Sequence, residues 1–182
     1  ITEAGNYYLT DNVTLTETWE PVDGVALCLN GKTITMQNSQ DTSKDVDVIK
    51  VTGHFTLTDC KADDAQGKIT HDNDSSGNKY KGKGVKVLGG TFDMYGGKIK
   101  GCFRGVFVDS SSTFNMYGGE ISENEANGVT LTNSSTARFN MYGGEISRNT
   151  AYGVEIMSSG IFNMYGGVIK DNPSKIEHIG VW

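Results

Sequence analysis

Proline is nearly missing from this chain of 182 residues, with only two. Histidine is scarce at three, and no apolar run approaches the ~18 residues that a membrane-spanning helix needs. His54, His71 and His178 are scattered and follow no metal-ligand spacing. Cationic residues are outnumbered, 16 Lys and Arg against 22 Asp and Glu, giving a net charge of −6. A nucleic-acid partner would require the opposite sign, so none is expected. No glycine-rich loop leads from a strand into a helix, which removes the usual phosphate cradle. There is no signal peptide or sorting signal, and the chain is expected to be a piece of a longer protein.

Cysteine is sparse too. Cys28, Cys60 and Cys102 make an odd count, which argues against a pure disulfide framework. One bridge plus one buried thiol is compatible with it.

What the chain has in quantity is glycine, 24 residues, and an internal repeat. Phe92-Asp93-Met94-Tyr95-Gly96-Gly97-Lys98-Ile99 returns at Phe114–Ile121, Phe139–Ile146 and Phe162–Ile169. The phenylalanines are 22, 25 and 23 residues apart. A second phrase accompanies each: Gly84-Val85-Lys86-Val87, Gly105-Val106-Phe107-Val108, Gly128-Val129-Thr130-Leu131 and Gly153-Val154-Glu155-Ile156. Apolar and polar residues alternate with period two, the signature of strands with one face in and one out. The paired glycines would break a helix and mark a tight bend.

Three short strands and three turns per repeat predict an all-β chain. The predicted fold is a single-stranded right-handed parallel β-helix, a solenoid of about seven coils. Like residues then stack at the ~4.8 Å strand spacing. One coil buries too little to stand alone, so stability must come from stacking. Residues 1–182 read as one domain. Residues 1–23 form an N-terminal cap or first coil, with Tyr7, Tyr8, Leu9 and Trp19 expected over the open end. Residues 24–91 hold irregular coils, and 92–182 hold the regular repeats. Val25-Ala26-Leu27-Cys28-Leu29 and Val48-Ile49-Lys50-Val51 are expected strands of the earlier coils. Phe55-Thr56-Leu57 and Gly67-Lys68-Ile69 match the repeat. Polar insertions at 59–66 and 71–82 belong to one coil and are expected to loop outward, where repeat scaffolds often bind.

The phrases Cys28-Leu29-Asn30-Gly31-Lys32-Thr33-Ile34, Phe55-Thr56-Leu57-Thr58-Asp59-Cys60 and Met-Tyr-Gly-Gly-x-Ile cover most of the chain. On them the protein resembles the pectate-lyase-like right-handed β-helix superfamily. More narrowly, it resembles β-helix repeat domains of large secreted or wall-attached proteins of gut Firmicutes. The resemblance implies an extracellular protein and a disulfide between Cys28 and Cys60. It does not specify a function, because one fold hosts many.

Several rows carry candidate chemistry. Asn124, Asn149 and Asn172, with Cys102 in the same place one coil earlier, read as an inner amide ladder that satisfies backbone groups. Cys102 is then a small buried side chain rather than a nucleophile. Tyr95, Tyr117, Tyr142 and Tyr165 form an aromatic row, either a glycan platform or a self-packed shield for the bend. Asp93, Asn115, Asn140 and Asn163 read as a surface ladder. Asp63, Asp64, Asp72 and Asp74 are the candidate metal ligands. Asp72-x-Asp74-x-Ser76-Gly77 resembles the front of a calcium loop, yet Lys83 stands at the twelfth place, where an EF-type loop needs an acid. No cofactor is required, and calcium is the ion these oxygens could take. Outward positions are expected to carry Lys98, Glu120 and Glu145, then Lys100, Ser122 and Ser147.

The expected function is a non-catalytic module, an adhesin-like, carbohydrate-binding or spacer domain with a glycan or host-surface ligand and no catalytic residue. The alternative is a polysaccharide-active enzyme. Its strongest form is a calcium-dependent lyase using these aspartates with Lys86 or Arg104 as base. A glycoside hydrolase is the weaker form.

Overall fold

A computed structural model describes residues 1–37, 46–72, 82–132, 136–157 and 159–179. Among them there is no α-helix, and every pairing between strands is parallel. The strands form three sheets of seven, seven and six strands, which the chain visits in turn. This arrangement is compatible with a parallel β-helix.

The first sheet contains Gly5–Tyr8, Val25–Cys28, His54–Thr58, Thr91–Met94, Thr113–Met116, Arg138–Met141 and Ile161–Met164. The second contains Val13–Leu15, Thr33–Met36, Lys68–His71, Lys98–Lys100, Glu120–Ser122, Glu145–Ser147 and Val168–Lys170. The third contains Ile49–Val51, Lys83–Leu88, Arg104–Asp109, Val129–Leu131, Tyr152–Met157 and Ser174–Ile179.

The register follows side-chain identity. Phe55 pairs with Phe92, then Phe114, Phe139 and Phe162 follow. Ile34, Ile69, Ile99, Ile121, Ile146 and Ile169 do the same on the second sheet. Because side chains alternate with period two, slipping any strand by one residue would expose its apolar face. Phe55, Phe92, Phe114 and Phe139 are fully buried and stack at 4.8–5.8 Å, so they form a continuous spine.

On the four regular coils the return to the second sheet passes through the Gly-Gly bend. A Cβ on Gly118 would lie 2.6 Å from the Tyr95 carbonyl, and one on Gly143 would lie 2.4 Å from that of Tyr117. Any side chain there would force the coils apart.

Three placements refine or correct the sequence reading. Val25–Cys28 joins the phenylalanine sheet, with Val25 opposite Phe55 and Leu27 opposite Leu57. It was legible as a strand but not by sheet, because Val-x-Leu fits either apolar row. Tyr8 is 67% exposed and caps nothing, since alternation turns Tyr7 inward and Tyr8 out. Ser122 and Ser147 hold outward positions yet are fully buried. A hydroxymethyl group ends below the level of the lysines before and after it in that row.

Candidate functional site

One outward polar row on the regular coils bonds from each coil to the next. Asn163 Nδ2 donates to Asn140 Oδ1, Asn140 to Asn115, and Asn115 to the Asp93 carboxylate, at 2.8–2.9 Å. Each amide dipole points toward that anion, so the ladder strengthens along its length. His54 Nε2 closes its end on Asp93 at 2.8 Å.

The inner ladder runs the other way. Asn124 Nδ2 donates to Asn149 Oδ1 and Asn149 Nδ2 to Asn172 Oδ1. The main-chain N–H groups of Cys102, Asn124 and Asn149 donate to the amide oxygen one coil on. The residue before each ladder position adopts positive φ: Gly101, Glu123, Arg148 and Asp171. Cys102 completes the row and is a free, buried thiol, and burial pushes its pKa up to about 12. At that value almost no thiolate forms at neutral pH, which leaves it inert.

The tyrosines stack with interplanar angles of 6–10° and centroids 4.5–4.9 Å apart. Each ring face is therefore covered by its neighbour within the row. The row offers a sugar its ring edges and hydroxyls, with a free face only at its two ends. Burial, aided by Asp93 and the neighbouring phenols, holds the Tyr117 hydroxyl above its ordinary pKa, so it remains a neutral donor.

Beside this row, over the second sheet, lies a groove of about 520 Å³. Its floor is Lys98, Glu120 and Glu145 with the bare backbone of Gly118, Gly119 and Gly144. Asp63 and Gln66 form one wall and Arg148 another. The Asp63 wall is pinned. The Asp59 carboxylate accepts the N–H groups of Gly31, Lys61 and Gly67, which closes the 59–66 insertion on itself. The Gln66 amide oxygen takes the Gly97 N–H at 3.0 Å. Charges in the groove are paired: Arg148 Nη2 lies 2.7 Å from Glu120 and Lys170 Nζ 2.9 Å from Glu145. The hydrogen bond from Lys170, with the nearby charge of Arg148, keeps the Glu145 carboxyl below the usual range.

The candidate metal residues are spread apart. Asp63 and Asp64 sit on the exposed insertion before Lys68–His71, while Asp72 follows that strand at its far end. Asp74 lies outside the described residues. No group of three or more His, Cys, Asp or Glu residues among the described ones has metal-binding proximity. Lys86 and Arg104 belong to the third sheet, and the Arg104 guanidinium lies over Phe103 at 5.0 Å and Phe107 at 5.9 Å. Cys28 and Cys60 are joined as a disulfide, Cα atoms 6.4 Å apart.

His71 was read as scattered, but it ends its strand almost fully buried, and its Nε2 has no hydrogen-bond partner among the described residues. Desolvation lowers its pKa; Asp47 and the Lys83 main chain oppose that without reversing it. The folded protein therefore binds this proton less readily than the unfolded chain does. His71 is neutral in both states well above its unfolded pKa. Its contribution is lost as pH falls below about 6.5 and through the lower folded value. Urea unfolding between about pH 7.5 and about 5 should show the wild type losing more stability than His71→Phe. Equal losses would remove His71 as the cause.

No protein-family model matches the chain, and the comparisons with curated proteins and with solved structures give no match.

Proposed function

We propose that the chain is a non-catalytic module of a larger secreted or wall-attached protein, a rigid spacer that also binds a glycan or host-surface ligand. The parent fold is taken as a single right-handed parallel β-helix of the pectate-lyase-like superfamily, as in gut Firmicutes. Right-handedness follows the rule obeyed by about 98% of crossovers that return parallel to the same sheet. The observation that carries the reading is how fully the repeated polar groups engage one another. The ladders, the stacked phenols and the ion pairs stiffen an elongated body. Beside them lies an open polar groove.

The rival enzyme reading has one observation in favour: Glu120 and Glu145 pair across adjacent strands and line the same groove. A glycosidase needs one of two carboxyls raised to serve as acid. Here Glu145 is lowered and Glu120 is paired with Arg148. A glycan array, with lyase and hydrolase assays on acidic and neutral polysaccharides, separates the readings. Binding without turnover supports the module. Turnover abolished by Glu145→Gln, or by EDTA and Lys86→Ala, overturns it. Silence in all assays reduces the module to a spacer.

The extracellular assignment has its own check. Without reductant, peptide mass mapping should find Cys28 linked to Cys60 and Cys102 free. For a separation of 32 residues, reduction should cost about 4 kcal/mol of stability. Three free thiols in the oxidised protein would remove this support for secretion.

A further inference from the structure

We propose that the groove over the second sheet binds an uncharged glycan chain lying along the stacking direction. This rests on the glycan-binding reading above and narrows it to neutral sugars and to one strip of surface.

The groove exists because the stack forbids filling it. Its glycine floor cannot carry side chains, since a Cβ on Gly118 would meet the Tyr95 carbonyl and one on Gly119 the Gly97 carbonyl, each at 2.6 Å. Its wall is held at both ends, by Asp59 within the loop and by Gln66 on the following coil. A wall fixed in advance reduces the ordering cost of binding. The floor positions Lys98, Glu120 and Glu145 repeat once per coil, about 4.8 Å apart, so charged groups recur at a fixed spacing along one line. A linear polymer of similar units suits such a strip.

Charge selects the sugar class. Asp63, Glu120 and Glu145 line the groove with Lys98 and Arg148, and Lys170 reaches Glu145 from beside it, three negative groups against three positive. The cations are already engaged: Arg148 with Glu120 at 2.7 Å and Glu145 at 3.7 Å, and Lys98 with Glu120 at 3.9 Å. A uronic-acid chain would have to displace these carboxylates from their partners. A neutral sugar need displace nothing. A carboxylate has about four acceptor sites and a guanidinium five N–H donors, so the paired groups keep capacity for hydroxyls. Arranged around a ring, they can take adjacent hydroxyls as acceptor and donor together.

The test is calorimetric titration of the intact chain with cellohexaose, xylohexaose, mannohexaose and polygalacturonate. At least one neutral oligosaccharide should bind, with affinity changing less than about twofold when salt rises tenfold, as expected for an uncharged ligand. Glu145→Gln should weaken it about tenfold, and so should Asp63→Asn on the opposite wall, while Tyr165→Ala leaves it within about twofold. Unchanged thermal unfolding of each variant confirms that the fold is retained. Preferential binding of polygalacturonate overturns the neutral class but keeps the glycan reading. Neutral binding that survives both groove variants and is lost with Tyr165→Ala also keeps the glycan reading but overturns the groove as its site, moving it to the tyrosine row. No binding of any of the four defeats the glycan reading and this inference together.

Discussion

Replacing Phe114 with alanine will destabilise the protein by about 3–5 kcal/mol. Phe114 is fully buried between Phe92 at 5.1 Å and Phe139 at 4.8 Å, the rings within 7–10° of parallel. Truncation removes two stacked neighbours and opens a cavity in the middle of the spine. The backbone around it cannot collapse inward, because its hydrogen bonds fix the coil spacing. Phe162 supplies the comparison: it stacks on Phe139 at 4.9 Å but is only partly buried. Phe162→Ala should therefore cost less than half as much. Urea unfolding followed by circular dichroism measures both. Equal losses, or less than about 1 kcal/mol for Phe114→Ala, would mean that the spine is not continuous.

The second large effect is on the inner ladder, where Asn149→Ala should cost about 3 kcal/mol or more. The Asn149 side chain accepts from the Asn124 main chain and amide, and donates to the Ile121 carbonyl and to Asn172. Alanine leaves several of these partners buried and unpaired, at about 1–3 kcal/mol for each orphaned group. Asn149→Asp should be at least as damaging, because it sets a carboxylate against the Ile121 carbonyl. Asn163→Ala is the control. It removes only the bond to Asn140, at the accessible end of the outer ladder, and should cost under about 1 kcal/mol. Similar losses at positions 149 and 163 would contradict the division into a buried and a surface ladder.

These expectations show which parts of the fold were legible in the sequence. Phe, Ile and Asn rows could be read because each places one distinctive side chain at one coil position, and parallel pairing brings like onto like. The self-packing of the tyrosines was anticipated. The loss of their ring faces was not, since it depends on ring orientation. Val25–Cys28 could not be assigned to a sheet because its pattern fits two rows.

The groove was not legible at all. It forms where an insertion of one coil folds beside the bends of two later coils, and no local pattern encodes that meeting. Asp59 reads in the sequence only as the start of a polar insertion, but its oxygens are occupied by three backbone N–H groups. His71 passed as one scattered histidine because its burial depends on the corner it reaches.

The central claim is that equivalent positions of successive coils lie one above another. Spin-label pairs along the row Thr33, Lys68, Lys98, Glu120, Glu145 and Val168 test it most directly. Labels at positions 33 and 145 should lie about 19 Å apart, and labels at 33 and 168 about 24 Å, one further coil adding one strand spacing. A separation that falls or stays level on moving from 145 to 168 would contradict parallel stacking and remove every site placed upon it.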